Sequence, residues 1–200
     1  MKAFEVTKED IERLDEYSFT NVMQKLLRAE MSKLRLKQSD LTVSLDIHDP
    51  DGGLDGYIGC EISEDHPWLP SGRSGWQFKA VRNFSTSQAE AEVLKGDKTD
   101  IKPRIKKLLE QGESYVLVIG GKDYNPDQLE ERENKISVVF KTKGFTESTV
   151  KVYSSGQIAE WVNSNPSVVV HLRLNRANFK DIREWKNTSI VIKEPSVSAI

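Results

Sequence analysis

One cysteine, Cys60, in 200 residues excludes an internal disulfide and any multi-cysteine zinc site, and it fits a reducing compartment. The three histidines, His48, His66 and His171, lack metal-ligand spacing, so a histidine-based zinc centre has no support in the pattern. No apolar run approaches the roughly 20 residues needed to cross a bilayer, and the opening MKAFEVTKED lacks the apolar core of a signal peptide. A cytoplasmic protein with no membrane partner is the expectation. Charge of one sign is also missing: the formal net charge is −2, so any surface for a polyanion must come from local clustering of Lys and Arg. Internal repeats and low-complexity tracts are absent. DIHDPDGGLDG has no glutamate where a calcium loop needs its last ligand, and GGKD at 120–123 lacks the rest of a P-loop.

What is present is an ordinary globular composition, 37% hydrophobic and 30% charged, enough for one core. From Lys8 to about Leu34, apolar residues recur at intervals of three and four once past Ser18, which predicts a helical stripe with Ser18 capping its second half. LTVSLDI at 41–47 and LDGYIGCEI at 54–62 predict a hairpin across the DPDGG turn. After a loop at 64–75, GWQFKAV at 75–81 gives a strand with Trp76, Phe78 and Ala80 on one face and Gln77 and Lys79 on the other. A helix over 98–111 with Pro103 in its first turn, a buried strand over 114–121, a helix over 127–143, a strand over 148–154 and a helix over 155–165 follow. VVVHLRL after Pro166 is not assignable by period. This alternation predicts an α/β fold, a mixed sheet flanked by helices, over residues 1–174. Residues 175–200 lose sustained periodicity and read as a linker or the start of a following module.

Chemistry concentrates in DGGLDGYI and WQFKA. Asp55 follows a glycine-rich turn that lets a hydrated metal or a polyanion approach the backbone, and its carboxylate is a hard ligand suited to Mg²⁺. Gln77 and Lys79, two apart on a strand, project to one side, and Phe78 offers its carbonyl between them. Phosphodiester hydrolysis needs a metal to polarise phosphate and acidify water, plus a positive charge near the developing oxyanion. Asp55 with Gln77 suits the first requirement and Lys79 the second. The bland readings are a turn aspartate for Asp55 and a charged guard on an edge strand for Gln77 and Lys79.

These residues resemble the Asp…(Glu/Gln)-x-Lys signature of the PD-(D/E)xK restriction-endonuclease-like superfamily, in its Mrr-like glutamine branch. The helix–hairpin–strand–helix order agrees over roughly residues 8–174. The tryptophan before QFK and the helix–strand pair at 98–121 resemble the N-terminal nuclease effectors of bacterial antiviral STAND-type NTPases. The resemblance implies a Mg²⁺-dependent endodeoxyribonuclease, with Mn²⁺ able to substitute, acting on double-stranded DNA in antiphage defence. It also implies a fragment of a larger protein that is activated by oligomerisation as a homo-oligomer. Asp55, Gln77 and the Phe78 carbonyl would then serve the metal, and Lys79 would be the catalytic lysine. The family often carries a glutamate on the first helix; Phe19 is followed here by Thr20, which leaves Glu30 as the nearest candidate. Pro50 does not immediately precede Asp55, so Asp51 is a second possible acid, and Glu61 a further one.

Lys95, Lys98, Lys102, Arg104, Lys106 and Lys107 form the densest basic stretch. Arg73, Arg82, Lys102 and Lys106 are the nominated DNA contacts, although such runs also occur as solvated helix faces. The alternatives are a catalytically silent nucleic-acid-binding or assembly module on the same fold, and a hydrolase of small molecules or nucleotides using the same acids.

Overall fold

A computed structural model describes residues 5–45, 52–63 and 66–174. The sheet's logic is clearest in the strand Ser114–Ile119, all of whose residues are buried. Its alternate side chains serve two separate cores: Val116 and Val118 enter one, and Tyr115, Leu117 and Ile119 the other. A strand apolar on both faces requires helices on both faces, and the chain supplies them.

The elements run α1 (Lys8–Glu12), α2 (Glu16–Lys33), β1 (Leu41–Val43), β2 (Gly56–Ile62), β3 (Gly72–Lys79), α3 (Thr86–Val93), α4 (Pro103–Glu110), β4 (Ser114–Ile119), α5 (Pro126–Thr142), β5 (Val150–Ser154), α6 (Ser155–Asn163) and α7 (Pro166–Leu174). The sheet order is β1-β2-β3-β4-β5. The first three strands are antiparallel neighbours, and β3, β4 and β5 are parallel. Parallel strands need long crossovers; α3 and α4 lie in the first and α5 in the second, and all three cover the same face. Helices α1, α2, α6 and α7 cover the other. This is the α/β architecture expected, a mixed sheet flanked by helices. Among the described residues no helix is long and apolar enough to cross a membrane.

Several local expectations are corrected. The long first helix is two helices, and the cap of the second is Asp15, whose side chain accepts from the Ser18 backbone N–H; Ser18 is inside the helix. The helix expected from 98 starts at Pro103, because Lys98 has a positive φ of 58° and residues before a proline avoid the helical region. The strand expected over 75–81 runs Gly72–Lys79. Helix α3 is an element additional to those expected, and Ser85 and Gln88 form a capping box at its start. The segment after Pro166, which periodicity leaves open, is helix α7. The 175–200 segment, Asp51 and Pro50 lie outside the described residues.

On the α2 side, Trp68 stacks on Trp161 at 5.6 Å and Trp76 on Tyr153 at 6.5 Å. Glu30 sits beside these rings, 2% exposed. It accepts hydrogen bonds from Trp161 Nε1 and Asn165 Nδ2, both at 2.8 Å, and pairs with Lys33 Nζ at 3.1 Å and His66 Nε2 at 3.5 Å. Burial alone would raise its pKa, but the hydrogen bonds from Asn165 and Trp161 and the Lys33 ammonium outweigh it and hold the carboxyl below the ordinary glutamate range. A depressed carboxyl stabilises the fold fully above its unfolded value, and the contribution is lost as pH falls through the folded value. Glu30→Ala, which orphans the buried Trp161 and Asn165 donors, is therefore expected to cost about 2–3 kcal/mol at neutral pH. In urea unfolding, the gap between wild type and variant should narrow on acidification. A variant as stable as wild type at pH 7 would contradict this role.

Candidate functional site

Strand β3 outruns β2. Their backbone pairing ends at Gly56 opposite Trp76, while Gln77, Phe78 and Lys79 continue alongside β4 only. Asp55 sits at this parting. Its N–H donates to the Trp76 carbonyl at 2.8 Å, its own carbonyl accepts from Ser44 N at 2.9 Å, and its carboxylate accepts from the Phe78 N–H at 2.5 Å. The carboxylate thus takes the place of a strand partner and grips the backbone on both sides of Gln77. The turn before it is held against α4: Arg104 N donates to the Gly52 carbonyl at 3.3 Å. Gly53 has φ +100°, and a Cβ there would lie 2.6 Å from Lys102 Cδ, so only glycine fits.

Gln77 and Lys79 share the face opposite Trp76 and Phe78, as expected. Gln77, however, is 2% exposed. Its carbonyl oxygen accepts the Tyr115 hydroxyl and its amide donates to Glu92 Oε1 at 2.6 Å. The same Glu92 oxygen receives Lys79 Nζ at 3.1 Å and Lys102 Nζ at 2.8 Å. Glu92 projects from α3, the helix not foreseen in the sequence, and is the acid that meets Gln77 and Lys79. The available signal was the capping box at Ser85 with Ala89 and Val93 buried at helical spacing, which sets Glu92 on a defined helix thirteen positions after Lys79.

The other nominated residues divide. Glu30 does not join this site: its partners are Trp161, Asn165, Lys33 and His66, among the elements of the opposite face. Glu61 is exposed and pairs with Arg73 at 3.3 Å. Of the nominated DNA contacts, Lys102 is turned to Glu92 and Lys106 pairs with Asp100 at 3.3 Å. Arg73 lies between Glu61 and Glu113, and Arg82 is exposed past the end of β3. The free cationic wall is formed instead by Arg104 and Lys107, one turn apart on α4. Both are exposed and, among the described residues, in no ion pair. They line a groove of about 460 Å³ that has Asp55 in its wall.

As a metal site the arrangement offers hard oxygens from Asp55 and Glu92, and the carbonyl oxygen of Gln77 already uses one of its two lone pairs for the Tyr115 hydroxyl. Among the described residues no group of three or more His, Cys, Asp or Glu side chains is gathered as a ready-made cage. Mg²⁺ keeps several waters and is held by one or two carboxylates plus substrate phosphate, so its binding does not require a full protein cage. Comparison of the chain with protein-family models, with curated proteins and with solved structures finds no match.

Tyr115→Phe removes the hydroxyl that satisfies a buried amide oxygen. It is expected to cost about 1–2 kcal/mol of unfolding free energy. The measurement is denaturant unfolding of the two proteins side by side; equal midpoints would mean that Gln77 finds another donor.

Proposed function

We propose that the chain is a metal-dependent phosphodiester hydrolase acting on DNA, with Asp55, Glu92 and Lys79 as its working groups. The observation that carries this reading is Glu92, drawn by Gln77 and Lys79 to the end of β3 that Asp55 clasps. Glu92 and Lys79 thus meet at the end of β3, and Asp55, which clasps that strand, lines an open groove with a cationic wall.

When bound, a divalent cation such as Mg²⁺, or Mn²⁺ in its place, would polarise the phosphodiester and acidify a water. Asp55 and Glu92 supply the carboxylate oxygens to hold it. Lys79 keeps an ammonium beside Glu92, where it can offset negative charge developing on the phosphate oxygens. Gln77 acts as a positioning residue: anchored by Tyr115 on one side, its amide fixes the Glu92 carboxylate. Lys102 ties the same carboxylate to the glycine turn that leads to Asp55. Arg104 and Lys107 suit the phosphates of a strand lying in the groove, a local cationic surface on a chain of net charge −2.

The resemblance to the PD-(D/E)xK superfamily supports the same chemistry, with Glu92 as a further acid beside Gln77, the residue expected to serve the metal. Cytoplasmic location, homo-oligomeric assembly and a part in antiphage defence rest on the sequence alone. One observation favours a silent nucleic-acid-binding module: among the described residues no group of three or more metal-ligating side chains is gathered.

The test is plasmid cleavage with Mg²⁺ or Mn²⁺, paired with calorimetric titration of Mg²⁺. Wild type should nick DNA and bind the ion; Asp55→Ala and Lys79→Ala should abolish cleavage, and Glu92→Gln should lower it about 100-fold or more. Cleavage that persists in excess chelator, or in Asp55→Ala, would sink the hydrolase. DNA binding with neither cleavage nor ion uptake would establish the silent module.

A further inference from the structure

A carboxylate oxygen has two lone pairs, yet Glu92 Oε1 stands before three donors: Gln77 Nε2 at 2.6 Å, Lys102 Nζ at 2.8 Å and Lys79 Nζ at 3.1 Å. The charges are as lopsided as the hydrogen bonds. One ammonium suffices to neutralise Glu92, and two are present. One lysine is therefore surplus on both counts.

Lys79 is the ammonium that the proposed hydrolysis uses, and it is set in β3 in register with Ile119 of β4. Lys102 reaches Glu92 from elsewhere. Its backbone N–H donates to the Val93 carbonyl at 3.0 Å, just before Pro103 opens α4. Its side chain packs on Gly53, where a Cβ would lie 2.6 Å from Lys102 Cδ, and goes on to the Glu92 carboxylate. The stem thus spans from the turn that leads to Asp55 to Glu92, the two acids assigned to the metal. The Lys102 side chain is 27% exposed, so its ammonium has water at hand if it leaves.

We infer that Lys102 is a resident counter-cation that competes with a divalent metal ion for Glu92. This rests on the reading of Asp55 and Glu92 as metal-holding acids and adds what guards them. An ion held by either oxygen of Glu92 would have the Lys102 ammonium as a close neighbour of like charge, and in a partly buried setting that repulsion is strong. The ammonium rides on a flexible four-carbon stem and can swing into solvent. A merely structural ion pair would behave differently: its loss would lower stability and leave metal affinity unchanged, or weaken it by loosening Glu92.

The experiment is calorimetric titration of Mg²⁺ into the full chain without DNA. The proteins compared are wild type, Lys102→Met, which keeps most of the stem and loses the charge, Lys102→Arg, which keeps the charge, and Lys106→Met, whose partner is Asp100. Lys102→Met should bind Mg²⁺ about tenfold tighter or more, while Lys102→Arg and Lys106→Met should match wild type. Amine labelling of wild type, read by mass spectrometry, needs no substitution: saturating Mg²⁺ should raise modification of Lys102 and leave Lys106 unchanged. Equal or weaker Mg²⁺ binding by a folded Lys102→Met protein, or Lys102 labelling that Mg²⁺ does not alter, would overturn this inference alone. No Mg²⁺ uptake by either wild type or Lys102→Met would overturn it together with the hydrolase. Tighter uptake by Lys102→Met with no plasmid cleavage by any of the proteins would strike the hydrolase and leave the competition standing.

Discussion

Everything at the candidate site follows from burying an amide at the centre of a sheet. Gln77 sits on the middle strand just past the end of β2, paired with β4, where a side chain with two donors and two acceptor sites has almost no access to water. Leaving a buried polar group of this kind unmatched costs about 1–3 kcal/mol, and its surroundings match it in part. Tyr115 from β4 supplies a donor and Glu92 from α3 an acceptor. Once Glu92 is drawn in, its charge must be met as well, and Lys79 and Lys102 meet it. The pairing of acid and lysine that makes the site chemically interesting is thus the result of satisfying one buried polar group.

The same reasoning separates what was legible in the sequence from what was not. Strand period made the two faces of β3 readable: Trp76 and Phe78 could only be core, and Gln77 and Lys79 had to share the other side. The apolar stripes of α2 and α5 were readable for the same reason. Glu92 was not, because its significance is a long-range contact, fifteen residues from Gln77, and its helix shows only Ala89 and Val93 to the core. A short helix with so thin an apolar stripe gives little period to detect. Glu30 misled for the opposite reason: its place on a long amphipathic helix was clear, but nothing local reveals that Trp161 and Asn165, more than 130 residues away, will claim its carboxylate.

The basic residues make the point in electrostatic terms. The stretch from Lys95 to Lys107 is dense in cations, yet sequence density did not identify which are available to a ligand. Lys95 and Lys106 share Asp100, and Lys102 serves Glu92. Helical spacing sets Arg104 and Lys107 on one face with Leu108 and Gln111, and that face looks into the groove. A cation folded onto a carboxylate contributes little outward field, whereas two cations one turn apart, in no ion pair among the described residues, can meet successive phosphates.

The sheet also keeps two acidic centres apart. Glu30 lies on the α2 side, saturated by a tryptophan, an asparagine, a lysine and a histidine, and so has the profile of a group that holds helices in place. Glu113 lies on the other side with one oxygen satisfied and the other, among the described residues, without a hydrogen-bond partner. The two differ little in burial, so burial alone does not distinguish them. The difference is in how completely the described residues fill each acceptor.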